Sequence, residues 1–294
     1  MKFVDVKNDI AFRKVFGNEN KKEILISFLD AVLELPDGKK ISKIEIKNPF
    51  LMPEIKGLKS SILDVRVTDE RDISYIIEMQ VEEPDGFDKR VQYYTAKQYA
   101  SQIHVGEDYP KLNQVIFIGI LNFNFFEGEN YLTRHLIVNQ KTGKQELKDL
   151  EFNFIELPKF DEDKIQIETL IEKWIYFIKK AANLEVIPSN VDDEGLKQAY
   201  ENASTYNWTK DELLAYDYAS MRKADESSKT KRAVEKAVKE AVEKAVKEEV
   251  EKAVDAKVVE TVKELHKNGA SVEMIALSLK LPVERVRQIL GLGD

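Results

Sequence analysis

Two short segments near the middle of the chain alternate in character and are separated by a polar turn, which leaves little choice of local fold. Ser61-Ile62-Leu63-Asp64-Val65-Arg66-Val67 runs into Thr68-Asp69-Glu70-Arg71-Asp72 and then into Ile73-Ser74-Tyr75-Ile76-Ile77-Glu78-Met79-Gln80-Val81. Alternation on both sides of a polar turn predicts an antiparallel hairpin. Side chains alternate faces along a strand, so Glu78 and Gln80 share one face. Folding the hairpin about its turn brings Asp64 opposite or diagonal to Glu78. Two carboxylates on an otherwise apolar hairpin repel each other at neutral pH unless something positive sits between them. A divalent cation suits that place, because Mg²⁺ takes one or two carboxylates and leaves its other positions to water and phosphate. The hairpin therefore predicts a metal site for phosphodiester chemistry, with Asp64 and Glu78 as ligands and the Met79 carbonyl as a further oxygen.

Composition narrows the alternatives. The chain has 294 residues and no cysteine. Disulfides, thiol nucleophiles and thiolate zinc sites are excluded together, and a reducing, cytoplasmic setting is expected. The three histidines, His104, His135 and His266, lie far apart in sequence, which argues against a zinc site or a histidine-based triad. No apolar run reaches the length of a membrane span, and the amino terminus lacks the apolar core of a signal peptide. A formal net charge of −8 argues against indiscriminate coating of nucleic acid but is compatible with a nuclease, whose acidic residues gather at metal sites and on solvated helices.

Around the hairpin, the pattern predicts helices on both sides. Asn8 to Gly17 reads as a short helix capped by Asn8 or Asp9, with Phe12, Val15 and Phe16 inward. Lys21 to Leu35 carries Ile24, Leu25, Phe28, Leu29 and Val32 at helical spacing. A strand is expected over Ile41 to Ile46 and a loop from Pro49 to Gly57. Phe87 to Val105 reads as a helix, and Val115 to Leu121, nearly all apolar, as a strand buried on both faces. Tyr131 to Asn139 and Glu146 to Leu157 predict a second hairpin. This order of elements makes an α/β sandwich around a mixed sheet over residues 1–160. Residues 161–226 read as a helical subdomain packed on that core.

A low-complexity tract over residues 227–267 places valine at 234, 238, 242, 246, 250 and 254. A strict step of four suits neither a coiled-coil seam nor one stable face, so the tract predicts a long, charged, solvated spacer helix. Residues 268–294 predict a small helix-turn-helix-like module with Ile275, Ala276, Leu279, Leu281, Val283, Val286 and Ile289 inside. Arg285, Arg287 and Gln288 on its last helix could touch DNA, and a helical hairpin for protein contact fits the same pattern.

A nuclease must place water in line with a scissile phosphate and neutralise the charge that develops. Gln80 could orient that water but cannot act as a cation or a strong base. Arg90 and Tyr94 stand one helical turn apart, with Gln98 a turn further, and could offer a guanidinium and a phenol to a phosphate backbone. Read singly, each signal has a plain alternative: a solvent-facing aspartate, or an ordinary amphipathic helix face.

The arrangement Asp64…Glu78-x-Gln80 on consecutive strands resembles the PD-(D/E)xK nuclease motif, in the variant with Gln for the terminal Lys. Several segments more narrowly resemble the Rpn family of recombination-promoting nucleases, also grouped with transposases. They are Asn8-Asp9-Ile10-Ala11-Phe12-Arg13-Lys14-Val15-Phe16-Gly17, Leu63-Asp64-Val65, Ile77-Glu78-Met79-Gln80, Arg90-Val91-Gln92-Tyr93-Tyr94, and Tyr109 to Ile116. The resemblance implies a restriction-endonuclease-like fold and Mg²⁺-dependent DNA endonuclease activity, with Mn²⁺ as an alternative ion and a link to recombination or mobile DNA. It implies that Asp64 and Glu78 hold the metal, that Gln80 is the third active-site residue, and that Asp9 is the acidic residue from the first helix. Cutting both strands with one site per chain points to a homodimer or higher oligomer. A nuclease fold that binds or assembles on DNA without efficient cleavage, and a protein-interaction scaffold, are the competing readings.

Overall fold

The computed structural model describes residues 2–36, 38–48, 50–51, 61–163 and 165–292. The chain divides into two units, Met1–Met221 and Arg222–Asp294. The first opens with α1 (Asp9–Phe16), where the Asn8 side chain accepts from the N–H groups of Ile10 and Ala11. Asn8 is therefore the cap, and Asp9 occupies the first helical position, where an acidic side chain complements the helix dipole. Helix α2 (Lys22–Leu33) buries the five apolar residues expected of it and ends at Glu34, which takes a left-handed conformation.

Next come β1 (Ile44–Ile46), β2 (Phe50–Leu51), β3 (Ser61–Ile62), β4 (Val65–Asp69) and β5 (Ser74–Gln80). Of the loop expected from Pro49 to Gly57, Phe50–Leu51 forms β2 and the remainder lies outside the described residues. Strand β2 pairs with β3 as a separate two-stranded ribbon, so the first arm of the predicted hairpin is not one strand. By alternation Leu63 would share the face of Val65 and Val67. Instead it packs with Ile76, Phe87 and Val91, while the two valines face the opposite cluster. The chain turns over at Leu63-Asp64, because Leu63 finds an apolar site on the other side of the sheet.

Helix α3 (Phe87–Ala100), β6 (Val115–Leu121), β7 (Leu132–Leu136) and β8 (Leu150–Glu156) complete the sheet, α3 stopping short of the expected Val105. The strand order is β1-β4-β5-β6-β8-β7, with β5, β6 and β8 parallel to one another and the other pairings antiparallel. One face carries Tyr75, Ile77, Met79, Ile118 and Ile120 against the helices at either end of this unit. The other carries Ile76, Phe117 and Phe154 against α3. The mixed sheet flanked by helices is thus the α/β architecture expected.

Helices α4 (Leu170–Lys180) and α5 (Glu194–Ala203) bury Trp174, Ile175, Phe177, Leu196 and Tyr200 in the same cluster as the sheet. Trp174 is fully buried with its indole N–H on the Ser27 hydroxyl at 3.0 Å, so truncation to alanine costs about 3–5 kcal/mol. Helix α6 (Lys210–Lys267) is a single 58-residue helix. Its start is set by a reciprocal cap, Thr209 N–H to Glu212 and Glu212 N–H to Thr209. Its first turns are tied to α1 by Lys14–Glu212 at 2.5 Å and by Asn8–Ser220 at 2.9 Å.

In the second unit, the tract valines of α6 are all more than half exposed. The i,i+4 ion pairs that form there run Lys236–Glu240, Lys239–Glu243 and Lys244–Glu248, lysine first, which is the weaker order on a helix. Helices α7 (Val272–Leu279) and α8 (Val283–Leu290) enclose Ile275, Ala276 and Val286 together with Val262 from the end of α6. The terminal module thus uses the last turns of the long helix as a third wall.

Candidate active site

The site is built where β4 stops. Val65 pairs with Ile77, so continuing the antiparallel register sets Asp64 across from Glu78. The Met79 N–H points to the same edge of β5 as that of Ile77, two residues earlier. With β4 pairing ended, the Asp64 carboxylate takes that donor at 3.0 Å in place of a backbone carbonyl. The turnover at Leu63-Asp64 therefore aims one carboxylate oxygen at the sheet and leaves the other free to meet α1. There, Arg13 Nη2 donates to Asp64 Oδ1 at 3.2 Å.

Glu78 is 3% exposed and has little positive company. Arg90 Nη2 lies 3.9 Å from its Oε2, and the Gln80 amide donates to the same oxygen at 3.4 Å. Burial, and secondly the Asp64 charge, push the Glu78 carboxyl up to about 8; Arg90 and Gln80 oppose the shift without cancelling it. Burial also raises Asp64, with the Asp9 charge adding to it and the Met79 N–H and Arg13 opposing. Across the parallel ladder from Glu78 stands Gly119, where an added Cβ would meet the Phe154 ring at 2.9 Å and the Phe117 ring at 3.0 Å. The surroundings on that side of Glu78 are aromatic rather than aqueous.

The structure brings together most of the residues singled out from sequence. Asp64, Glu78 and Gln80 meet at the ends of β4 and β5. Arg90 reaches them from α3, with Phe87 and Tyr94 beneath its guanidinium at 5.4 and 5.9 Å. Burial raises the Tyr94 phenol, followed by the charge of Glu78, which places that ring in the field of the same carboxylate. Gln98 does not join them: it is buried and donates to Ser74 at 3.3 Å. Arg285, Arg287 and Gln288 belong to the second unit. Arg285 is paired with Asp255 at 3.0 Å and donates to Gln288 at 3.3 Å, while Arg287 is exposed.

Two features escaped the sequence reading. Arg13, within α1, becomes the partner of Asp64 only through tertiary folding. Glu156, at the end of β8, is level with Gln80 and on the same face by strand register. Its carboxylate is fully buried, with Lys159 at 2.7 Å and the N–H groups of Phe125 and Phe126 at 2.5 and 3.1 Å. Glu-Leu-Pro-Lys at a strand end was the available signal.

Among the described residues no group of three or more His, Asp or Glu side chains surrounds a point. The donor set that exists is two facing carboxylates and the Met79 carbonyl, which points to the same edge as the Met79 N–H held by Asp64. An all-oxygen set with two carboxylates, of which Glu78 lacks a close counter-charge, fits a hard divalent cation that retains waters.

The family model described as PD-(D/E)XK nuclease family transposase matches residues 6–233, more than half of the chain. Comparisons with curated proteins and with solved structures return no match. Among the described residues no helix is long and apolar enough to cross a membrane.

Proposed function

We propose, for a chain that belongs to the PD-(D/E)XK nuclease family transposases, that it is a metal-dependent DNA endonuclease whose active site is Asp64, Glu78 and Gln80. The family and its restriction-endonuclease-like fold make nuclease chemistry on DNA the starting point. The single observation that carries the finer reading is the Asp64–Glu78 pair. A buried Glu78 faces a partly buried Asp64, and the nearest positive group leaves Glu78 well above the ordinary carboxylate range.

Asp64 and Glu78 would hold the divalent ion, Mg²⁺ or Mn²⁺, with the Met79 carbonyl completing the protein's share. The chemistry such an ion supplies when bound is a lower pKa for coordinated water and neutralisation of phosphate charge. Arg13 and the Met79 N–H fix the orientation of Asp64, and the Gln80 amide fixes Glu78. Asp9 adds negative charge beside Asp64 and favours cation binding. The rings of Phe87, Phe117 and Phe154 keep the β6 side of the site apolar, which strengthens every charge interaction within it. The narrower likeness to recombination-promoting nucleases belongs to this proposal, as does a role at mobile DNA.

The test is nicking of supercoiled plasmid in Mg²⁺, in Mn²⁺ and in EDTA, with Asp64→Ala and Glu78→Ala alongside the wild type. Metal-dependent nicking that disappears in both folded variants is expected. A cleaving Asp64→Ala protein would refute the assignment. A folded wild type that binds DNA but never cuts would favour the non-cleaving reading, in which Gln80 marks lost chemistry.

A further inference from the structure

The Gln80 position presents a difficulty for phosphodiester chemistry. The family's PD-(D/E)XK motif ends in lysine two residues after its acidic member, and here Glu78-Met79-Gln80 ends in a neutral amide. That amide is turned onto Glu78 at 3.4 Å and cannot carry positive charge. In-line displacement at phosphorus spreads charge over the non-bridging oxygens, and positive donors aimed at them are a large part of catalysis.

We propose that Arg90, from helix α3, supplies the positive charge that position 80 lacks and meets the phosphate being cleaved. Four observations support it. The guanidinium is 3.9 Å from Glu78, close enough for attraction and too far for a hydrogen bond. Its Nε and Nη2 are buried without a hydrogen-bond partner, so the group has donors to spare, at a cost to the fold that a bound acceptor would relieve. Its guanidinium lies over the rings of Phe87 and Tyr94, which restrains the fork, and 29% of the side chain is exposed at the site. The other guanidinium at the site, Arg13, is already bonded to Asp64.

This inference rests on the endonuclease reading, so its test uses two readouts. Plasmid nicking in Mg²⁺ measures turnover. Anisotropy of a fluorescein-labelled duplex in Ca²⁺, across a salt series, counts phosphate contacts without requiring turnover. Arg90→Gln is expected to slow nicking on the order of a hundredfold. It should also reduce the magnitude of the log–log salt slope by about 0.9, the share of one phosphate contact. Arg90→Lys should keep the slope yet nick more slowly than wild type, because a point charge cannot reproduce the planar fork. The decisive variant is Gln80→Lys combined with Arg90→Gln, which should nick at least about tenfold faster than Arg90→Gln alone, a partial return of the lost donor. Arg90→Gln with wild-type nicking and slope overturns the proposal. So does a relocated lysine that gives no recovery with the slope unchanged. If wild type itself does not cut, the endonuclease reading fails, and the slope alone decides whether Arg90 meets phosphate. If Arg90→Gln does not fold, Arg90→Lys decides alone: a wild-type rate overturns the fork contact, and slower nicking with a wild-type slope supports it.

Discussion

Glu78 and Glu156 stand on the same face of the sheet, near the carboxyl ends of parallel strands, and both are almost completely buried. Their partners differ. Glu156 has a lysine at 2.7 Å, itself only 7% exposed, and two backbone N–H donors, so its charge is matched and its lone pairs are used. Glu78 has a guanidinium at 3.9 Å, a long amide contact and a second carboxylate facing it. A buried charge is tolerated when it is paired and hydrogen-bonded, and costly otherwise. Glu156 is a completed structural ion pair that pins the loop after β6; Glu78 is left without a close counter-charge.

The largest expected effect follows from that difference. Glu78→Gln should lower metal-dependent nicking on the order of a thousandfold, about 4 kcal/mol. In the same protein, urea unfolding should show stability equal to or above wild type, because a poorly compensated buried carboxyl has been neutralised. A Glu78→Gln protein that is markedly less stable would mean that Glu78, too, is a structural group and would break the comparison.

Glu156→Gln should show the reverse. It leaves Lys159 buried without its counter-charge, and breaking a buried pair costs about 3–5 kcal/mol. The urea midpoint should fall accordingly, while the affinity of the folded protein for Mn²⁺, read by calorimetry, stays as in wild type. Restored stability in Glu156→Gln combined with Lys159→Met would sharpen the point, since both charges of the pair are then gone.

The contrast also shows what alternation in sequence can and cannot convey. Period-two patterning located β5 and set Glu78 and Gln80 on one face, because a strand's face is a local property, while a continuous apolar run located β6. It placed Asp64 opposite or diagonal to Glu78, and the hairpin register sets it opposite. It missed the turnover at Leu63, which depends on an apolar pocket formed by α3, a distant element. Arg13 was missed for the same cause, its partner being chosen by packing; Glu156 had a local signal in Lys159 three residues on, but its N–H donors come from the loop after β6. The start of α6 was legible but overlooked. Thr209 and Glu212 have the spacing of a capping box, whereas the change of composition near Ser227 marks no helix end, because backbone hydrogen bonding does not register composition.

Glu162 provides an intermediate case, a partly exposed carboxylate with two lysines. Burial pushes its carboxyl up, but hydrogen bonds from Lys179 and Lys180 outweigh that and hold it at about 2. Its folded value lies below its ordinary 4.5, so its stabilising contribution is present above that value and is lost as pH falls toward 2. Wild type should therefore lose more stability than Glu162→Gln between about pH 5 and about pH 2, with the two curves parallel at neutral pH. Curves parallel throughout would mean that solvent screening leaves this pair without weight.

The smallest effect belongs to the part of the chain with neither burial nor completed pairs. Val242 and Val246 are 54% and 56% exposed, and their neighbouring ion pairs run in the weaker order at 3.8–4.0 Å. Replacing both valines by lysine removes almost no buried apolar surface, and lysine is the better helix former by a few tenths of a kcal/mol per residue. The helix should be unchanged or slightly firmer, with circular dichroism at 222 nm and plasmid nicking both as in wild type, within about 0.5 kcal/mol. A clear loss of helicity, or of nicking, in that double variant would show that the valines are covered when the protein works.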